Sequence, residues 1–302
     1  MNEVVAVIVT CNRKELLQKC IEMIQAQQDA AADILVFDNA STDGTREMMA
    51  KLADGEAIRY HWEPTNLGGA GGFCRGMEMA VLLGYKYLWI MDDDTQPYPD
   101  ALKQLLCADR HLNGNYGFLA SRVLWVDGSI CAMNRQRVSL LRDVADDVQQ
   151  PVKVIMSSFV SLFLRNEEVR RVGLPIEAFY IWSDDWEYTR RISRKQDCFL
   201  IPQSVVVHAM KNNAPVNIAT DQPERIPRYK YFYRNDVVLF RREGVAGWLY
   251  LLTKDLWHTV QVLRTGKDVA RRIGTIWRGF SAGVRFFPPT PELSDTKRKQ
   301  KR

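Results

Sequence analysis

The sequence has few of the features that mark a zinc-binding or disulfide-rich domain. None of its six cysteines forms a CxxC pair with another. Isolated cysteines argue against a structural zinc site and against a disulfide framework. We therefore expect reduced cysteines, mostly in the core of a cytosolic protein. The six are Cys11, Cys20, Cys74, Cys107, Cys131 and Cys198.

Long apolar runs are also absent. No stretch reaches the roughly 18 apolar residues that a transmembrane helix needs. Glu3 stands where a signal peptide has a basic residue, and the apolar run 4–9 is too short to cross a bilayer. We expect a cytoplasmic protein, which can still associate peripherally with the inner face of the plasma membrane.

A P-loop of the form GxxxxGK[ST] is missing, and the glycines do not have the Rossmann spacing. The sequence instead has a glycine-rich segment at 66–73, Asn-Leu-Gly-Gly-Ala-Gly-Gly-Phe. Glycines let a backbone approach a ligand closely. A helix predicted from Cys74 to Leu83 would place its N-terminus beside a phosphate. A flexible turn is the alternative interpretation.

The composition is that of an ordinary soluble globular protein. Of 302 residues, 46% are hydrophobic and 25% are charged. The formal net charge of +5 is unevenly distributed, because basic residues outnumber acidic ones from Arg225 onward and the tail 297–302 holds five positive charges. This asymmetry favours a negatively charged partner, such as an anionic lipid, a phosphate-bearing acceptor or nucleic acid.

Apolar strands alternate with helical patterns in the first part of the chain. Short aliphatic and aromatic runs occupy 4–9, 34–37 and 58–61. Between the first two runs, apolar residues recur at helical spacing over residues 14–27. The alternation predicts a parallel sheet with crossover helices.

Three consecutive carboxylates follow a buried strand. The run 85–91 is apolar, and Asp92, Asp93 and Asp94 come directly after it. Adjacent carboxylates repel one another, and oxygen ligands in a tight group suit a hard divalent cation. A solvated acidic loop is the alternative, but the end of a buried strand is where α/β proteins place ligand sites.

A second acidic group begins a predicted helix. Asp184, Asp185 and Glu187 follow an apolar, aromatic segment. A helix N-terminus favours carboxylates for structural reasons alone. Aromatic neighbours also raise a carboxyl pKa, which suits a general base.

Two further side chains end predicted strands. Asp38 follows the second strand, where it can hold a ribose or a base edge or can simply form an Asx turn. His208 ends the strand 199–208. A packed histidine is the usual interpretation, but beside carboxylates an imidazole can also bind a metal.

The C-terminal part is predicted to be helical and basic. We divide the chain into a catalytic domain, residues 1–215, and a helical segment, residues 216–302. The helix predicted over 271–285 has Ile273, Ile276, Trp277 and Phe280 on one face. This pattern is typical of a helix on an anionic membrane surface, and docking on the catalytic domain is the alternative.

The order of these motifs resembles that of the inverting family 2 glycosyltransferases, especially the galactofuranosyl- and rhamnosyltransferase branch. The resemblance implies the GT-A fold, a Rossmann-like, mostly parallel sheet flanked by helices, here with a C-terminal helical extension. It covers the chain from Val4 to about Asn235. The matching segments are 7–13, 37–44, 66–72, 92–94, 182–187 and His208.

The resemblance implies roles for the residues on the donor side. Thr10, Arg13 and Asp38 would hold the nucleotide, with Asp38 at the uracil. The segment after Asn66 would lie along the nucleotide-sugar. The donor-binding residues implied in this way are Thr10, Arg13, Asp38, Asn66, Gly68, Gly69, Asp92, Asp93 and Trp182.

A metal site is implied as well. Asp92 and Asp94 match the two ends of the family's metal motif, with Asp92 on the ribose side. His208 matches the histidine ligand. The cofactor would be Mn²⁺ or Mg²⁺, which neutralises charge on the departing diphosphate.

Asp185 matches the catalytic base, which deprotonates the acceptor hydroxyl. Ser183 stands where many relatives have the first acid, so Asp184 is the alternative base. Asp184 and Trp182 would otherwise shape the pocket for the acceptor and the sugar.

The implied reaction transfers galactofuranose from UDP-galactofuranose to a polyprenyl-linked or oligosaccharide acceptor of a bacterial surface polysaccharide. A rhamnosyltransferase using dTDP-rhamnose is the alternative within the class. A metal-dependent nucleotidyltransferase is the alternative from another enzyme class. A non-enzymatic sugar- or nucleic-acid-binding protein is the remaining one, and we expect no nucleic-acid partner.

Overall fold

The computed structural model describes residues 2–53 and 57–293. The basic tail 297–302 therefore lies outside the described residues. The first part of the chain alternates between strands and helices, as the sequence predicts. These elements are β1 (Val4–Thr10), α1 (Lys14–Gln25), β2 (Ala32–Asn39), α2 (Thr45–Leu52), β3 (Ile58–Glu63), α3 (Gly68–Leu82) and β4 (Tyr87–Asp92).

The middle of the chain adds shorter strands, and the C-terminal part is helical. The middle elements are β5 (Thr95–Pro97), α4 (Ala101–His111), β6 (Leu119–Leu124), β7 (Arg137–Ser139), β8 (Arg142–Asp143), β9 (Val152–Lys153), β10 (Leu162–Arg165), α5 (Asn166–Val172), α6 (Asp184–Ser193) and β11 (Phe199–His208). The last helices are α7 (Tyr229–Phe240), α8 (Gly244–Thr265) and α9 (Val269–Val284).

The main sheet has the strand order β3-β2-β1-β4-β10-β6-β11-β5, with β9 also paired to β11. Strands β3, β2, β1 and β4 are parallel neighbours, whereas β10 is antiparallel to both β4 and β6. Strands β7 and β8 form a separate antiparallel pair. The predicted mixed, mostly parallel sheet flanked by helices is confirmed.

Helices cover both faces of the sheet, which explains why its central strands are continuously apolar. Successive side chains of a strand point to opposite faces. Val5 and Val7 of β1 therefore pack in the layer formed by α3, α5 and α6. Ala6 and Ile8 pack in the opposite layer, with α1, α2 and α4.

Strand register gathers the polar residues that end the parallel strands. Thr10 pairs with Asp38, and Val9 pairs with Asp92. Because parallel strands end at the same edge of a sheet, all three polar side chains lie at its carboxyl edge.

The pairing of β11 with β5 adds a residue from far along the chain. The two strands are antiparallel, and His208 is opposite Thr95. The backbone N–H of Ala209 donates to the carbonyl of Asp94 at 2.9 Å. His208 is thereby placed next to the acidic triplet.

Helix α3 begins at Gly68, six residues before the predicted start at Cys74. The glycines are therefore mostly part of the helix and not of a loop before it. A Cβ on Gly72 would lie 2.5 Å from Cγ1 of Val9, and one on Gly76 would lie 3.0 Å from Cγ1 of Val7. These two glycines let the helix pack closely on β1.

The apolar face of α9 is covered by protein. Ile276 is buried together with Val262 of α8 and Tyr233 of α7. Arg272 is also buried, and it donates to the carbonyls of Ile218 and Asp221. The face docks mainly on α7 and α8 of the C-terminal segment, whereas the alternative interpretation had it dock on the catalytic domain. The membrane interpretation of its apolar face was wrong.

Helix α8 instead carries an exposed apolar face. This face consists of Val245, Leu249, Leu252, Leu256, Trp257, Val260 and Leu263. Within the described ranges, no helix is both long enough and apolar enough to cross a membrane.

The division of the chain between residues 215 and 216 stays a prediction. Helix α7, which follows the predicted boundary, shares core clusters with the part of the chain that precedes it.

We expect Gly72→Ala to lower the free energy of unfolding by about 1–3 kcal/mol, because the added methyl overpacks the contact with Val9. Gly69→Ala is the matched control, since a Cβ there meets nothing within 4 Å. Urea denaturation of both variants and the wild type measures the difference. Equal stability of the two variants would contradict the packing role of Gly72.

Candidate functional site

Three predicted metal ligands converge at the carboxyl edge of the sheet. One ligand atom each from Asp92, Asp94 and His208 lies within 4.8 Å of the other two. Asp94 and His208 are buried, and Asp92 is half-buried. Two carboxylates and an imidazole form a donor set that suits Mn²⁺ and also accepts Mg²⁺.

The imidazole of His208 is oriented by Asn134, which the sequence did not single out. Nδ1 of His208 lies 2.7 Å from the amide oxygen of Asn134. Cys131 donates to the same oxygen, and the amide nitrogen of Asn134 donates to Ser158. Since the amide oxygen can only accept, Nδ1 carries the proton and Nε2 faces Asp94.

The contact between His208 and Asp94 needs a positive charge. Nε2 lies 3.0 Å from Oδ1 of Asp94, an oxygen that is buried. In neutral imidazole Nε2 has only a lone pair, so the two electron-rich atoms would repel. A second proton on the ring removes the repulsion. A divalent cation held by both atoms would remove it too.

The pKa values at this cluster reflect burial and crowded negative charge. Burial, followed by the charge of Asp94, raises the pKa of Asp92 to about 7. Burial alone would lower the pKa of His208, but its hydrogen bond to Asp94 and the surrounding negative charge raise it to about 10. Burial likewise acts to raise the pKa of Asp94, but His208 and Arg13 hold it below its usual value. The residues therefore fit a cation.

Asp93, in the middle of the triplet, is held inside the protein. Its carboxylate accepts from Thr10 Oγ1 at 2.8 Å and from Arg13 Nη1 at 3.1 Å. The same Arg13 nitrogen donates to Asp94 at 2.7 Å. Two residues predicted to contact a donor, Thr10 and Arg13, thus both bind a third, Asp93, and fix the triplet.

Asp38 is also fully occupied by the protein. It is buried, with one oxygen accepting from the backbone N–H of Ser41 at 2.9 Å and the other from Tyr60 at 2.6 Å. Asp38 therefore has a structural role in a local turn, as the alternative interpretation had it, although its bond is to the N–H three residues on and not the two of an Asx turn. Its predicted contact with a base stays a prediction.

Asn66 caps the glycine-rich helix. Its side-chain oxygen accepts from the backbone N–H of Gly68 at 2.8 Å. Gly68 has φ +73°, and a Cβ there would lie 2.1 Å from the carbonyl oxygen of Tyr180. Gly69 faces open space. Gly68 is therefore required for packing, and Gly69 is the one of the two that leaves room for a ligand.

The segment before the second acidic group has an unusual backbone. Tyr180, Trp182 and Ser183 have φ between +64° and +66°. Left-handed conformations are costly for residues other than glycine and cluster at functional sites. The chain turns sharply here and then enters α6 with Asp184 and Asp185 in its first turn.

Helix α7 holds this strained segment in place. The side-chain amide of Asn235 donates to the carbonyls of Phe179, Ile181 and Trp182 at 2.9–3.1 Å. Asp236 accepts from the hydroxyl of Ser183 at 2.6 Å. The sequence analysis did not assign this role to Asn235 and Asp236. The feature that could have indicated it is the occurrence of two adjacent polar residues in an aromatic-rich helix.

Trp182 packs against the same helix. Its ring centroid is 5.0 Å from that of Tyr229 and 6.0 Å from that of Phe232. The indole is partly buried in a cluster with these residues. Trp182 therefore joins the C-terminal helices to the acidic turn.

The acidic pair Asp184 and Asp185 interacts electrostatically with the metal-type cluster, which consists of Asp92, Asp94 and His208. Burial, then the charge of Asp184, and also the charge of Asp92, raise the pKa of Asp185 well above its usual value. Burial raises the pKa of Asp184 to about 6. Glu187, by contrast, forms ion pairs with Arg191 and Arg242 and serves the structure. A half-buried carboxylate with a raised pKa suits a general base.

Comparisons of sequence support these assignments at the level of the family. Residues 5–124 match the model of glycosyl transferase family 2. The galactofuranosyltransferase GlfT1 of Mycobacterium tuberculosis is 26% identical over 296 residues, which cover 87% of this chain and 95% of that protein. The GlfT1 protein of Mycolicibacterium smegmatis is 28% identical over 201 residues, which cover 63% of this chain and 65%, less than two thirds, of that protein.

Comparisons of structure give the fold. A crystal structure of GalNAc-T7 with UDP, GalNAc and Mn²⁺ matches 78% of this chain and 47% of its own with a TM-score of 0.57 and 13% identity. TarS 1–349 of S. aureus in complex with UDP matches 95% of this chain and 72% of its own, with a TM-score of 0.53 and 14% identity. The chain therefore has the GT-A fold, and its residues 5–124 match glycosyl transferase family 2.

Proposed function

We propose that this protein is an inverting, metal-dependent glycosyltransferase that transfers galactofuranose from UDP-galactofuranose to a polyprenyl-linked or oligosaccharide acceptor. The observation that carries the proposal is the convergence of Asp92, Asp94 and His208 at the sheet edge, with Asp185 close enough to Asp92 for their charges to interact. The likeness to GlfT1 supports the choice of donor.

The chemistry follows from two separate acidic groups. Asp185 accepts the proton of the acceptor hydroxyl, whose oxygen attacks the anomeric carbon opposite the departing UDP. Asp184 is the alternative base. A divalent ion held by Asp92, Asp94 and His208 supplies neutralisation of the diphosphate charge. Asn235 keeps the acidic turn in the conformation that presents the base.

The donor side is assigned to the surface around the triplet and the start of α3. Gly69 and Asn66 lie at this helix N-terminus, where backbone N–H groups favour an anion. Thr10, Arg13 and Asp93 support the triplet from behind through their mutual contacts. Asp38 and Trp182 complete the proposed nucleotide and sugar surroundings.

We assign the exposed α8 face to an anionic membrane surface. Between Glu243 and Arg264, no charged side chain is exposed on this helix, because Lys254 and Asp255 are turned inward. The cations Arg264 and Lys267 flank its C-terminal end. An apolar helix face with cations at its margin suits the interface of an anionic bilayer.

A panel of nucleotide sugars tests the reaction. With Mn²⁺ and an acceptor, we expect UDP release to be fastest from UDP-galactofuranose. In Asp185→Asn, release should fall about 10²–10⁴-fold, because the general base is lost. Preference for dTDP-rhamnose would replace the donor assignment, and release of pyrophosphate would identify a nucleotidyltransferase. No release from any donor would contradict the proposal.

The pH dependence of kcat/KM tests the base. Asp185 can act as a base only when it is deprotonated. Because its pKa is raised, activity should be lost at a higher pH, as the pH falls, than with an ordinary carboxylate. We expect the midpoint of the acidic limb to lie above the pH at which an ordinary aspartate titrates, because burial and then the charge of Asp184 raise the pKa of Asp185. In Asp184→Asn the midpoint should fall, since the charge of Asp184 helps to raise the pKa of Asp185. A limb that does not move in Asp184→Asn would contradict this assignment.

Metal binding can be measured without turnover. We expect Mn²⁺ to raise the melting temperature of the wild type, because ligands that bind the native state stabilise it. Asp94→Ala and His208→Ala should lose this increase. Asp147→Ala is the matched control, since Asp147 is exposed and distant in the chain from the cluster. Equal Mn²⁺ shifts in all four proteins would exclude this cluster as the metal site.

A further inference from the structure

A cationic groove lies between α7 and α9, outside the acidic site. Its volume is about 650 Å³. Four basic side chains line it, two from each helix, and no carboxylate does. The basic residues are Lys230, Arg234, Arg271 and Arg278. Tyr231 and Thr275 are among the other lining residues.

Among the residues that the structure describes, no carboxylate neutralises these four cations. Across residues 2–53 and 57–293, none of the four has a carboxylate within ion-pair distance. By contrast, Arg190 and Arg194, at the C-terminal end of α6, both form ion pairs with Glu243. Burial without an acidic partner also lowers the pKa of Arg234. Like charges held together in a cavity favour an anion that replaces the missing carboxylates.

Close packing of α9 on α7 and the ring of Tyr231 define the walls of the groove. Gly279 and Gly283 let α9 approach α7 so closely that a Cβ would lie within 2.7 Å of α7 atoms. The ring of Tyr231 lies 4.7 Å from Nζ of Lys230 and 5.1 Å from Cζ of Arg234. Lys230 and Arg234 are therefore positioned by Tyr231 before a ligand arrives, which reduces the cost of binding, whereas Arg271 and Arg278 lie exposed on α9.

The groove also adjoins the acidic turn. Arg234 donates to the carbonyls of Ala178 and Phe179. The ring of Tyr231 is 5.0 Å from that of Tyr180. Tyr180 precedes Asp185 by five residues, so their Cα atoms are at most about 18 Å apart. A ligand in the groove is thus close to the side of the molecule that presents the base.

We propose that this groove binds the phosphate or diphosphate group of the acceptor. Arginine and lysine side chains are the usual partners of phosphate oxygens, and four of them more than balance the two negative charges of a diphosphate that links two groups. Tyr231 and the methylene stems of the cations offer apolar surface to the group that carries the phosphate. The assignment to the acceptor rests on the proposed function, whereas the anion site itself does not.

Binding of three anionic probes tests the site. Inorganic pyrophosphate, geranyl diphosphate and vesicles of phosphatidylglycerol are titrated in EDTA, so that no metal can hold a diphosphate at the acidic cluster. The groove variant is Lys230→Gln with Arg278→Gln, which spares Arg234 and its backbone contacts. The control is Lys51→Gln with Lys195→Gln, which removes two exposed cations elsewhere.

We expect the groove variant to bind both diphosphates at least tenfold more weakly than the control, with vesicle binding retained. Loss of vesicle binding alone would identify a lipid headgroup as the ligand and overturn the assignment to the acceptor. Equal binding of every probe by both variants, or none by the wild type, would overturn the anion site. Hydrolysis of the donor without an acceptor should be unchanged in the groove variant. If the wild type did not hydrolyse the donor, that result would count against the proposed reaction and not against the anion site in the groove.

Discussion

The pairing of β11 with β5 is the constraint on which the metal-type cluster depends. His208 lies 114 residues beyond Asp94 in the sequence, yet their side chains are 3.0 Å apart. The register that sets His208 opposite Thr95 brings them together. The parallel strands β1, β2 and β4 supply the remaining polar groups at the same edge. Asn134 then fixes the imidazole, so that Nε2 and not Nδ1 faces the carboxylates.

The second constraint is the left-handed turn before α6. Three residues with positive φ would not hold this conformation in isolation, because each one is strained. Asn235 compensates by satisfying three carbonyls that the turn leaves without helix or sheet partners. Asp236 accepts from the hydroxyl of Ser183, and it also forms an ion pair with the half-buried Lys254. The C-terminal helices are therefore part of the framework of the acidic site, whichever way the domains are divided.

The sequence was sufficient for the features that depend on local pattern. The buried strands, the helix beginning at Asp184 and the strand ending at His208 follow from periodicity and from the residues at their ends. The convergence of His208 with the triplet came from the resemblance to a family, because nothing local joins positions so far apart. Asn235 shows the limit most clearly: its role depends on carbonyls of a segment more than fifty residues earlier.

The glycine-rich segment and α9 show why a sequence pattern can be compatible with two different structures. Glycines next to a helix are compatible both with a ligand loop and with close packing, and only the position of Val9 against Gly72 decides between them. An apolar face with arginines beside it is compatible with lipid and with protein. In α9 the face is covered by α7 and α8, and even Arg272 is buried. Periodicity shows which residues of a helix share a face, but not what covers that face.

The two acidic groups are coupled by charge as well as by position. Asp92 raises the pKa of Asp185 because its negative charge opposes a second one nearby. A divalent cation at Asp92, Asp94 and His208 would reverse the sign of the local charge, and the pKa of Asp185 would then fall. The base would be more fully deprotonated when the metal and its diphosphate ligand are present than when the cluster holds only protons. Because the carboxylates form two separate groups, a cation bound by the first group would keep Asp185 of the second group deprotonated and able to accept a proton.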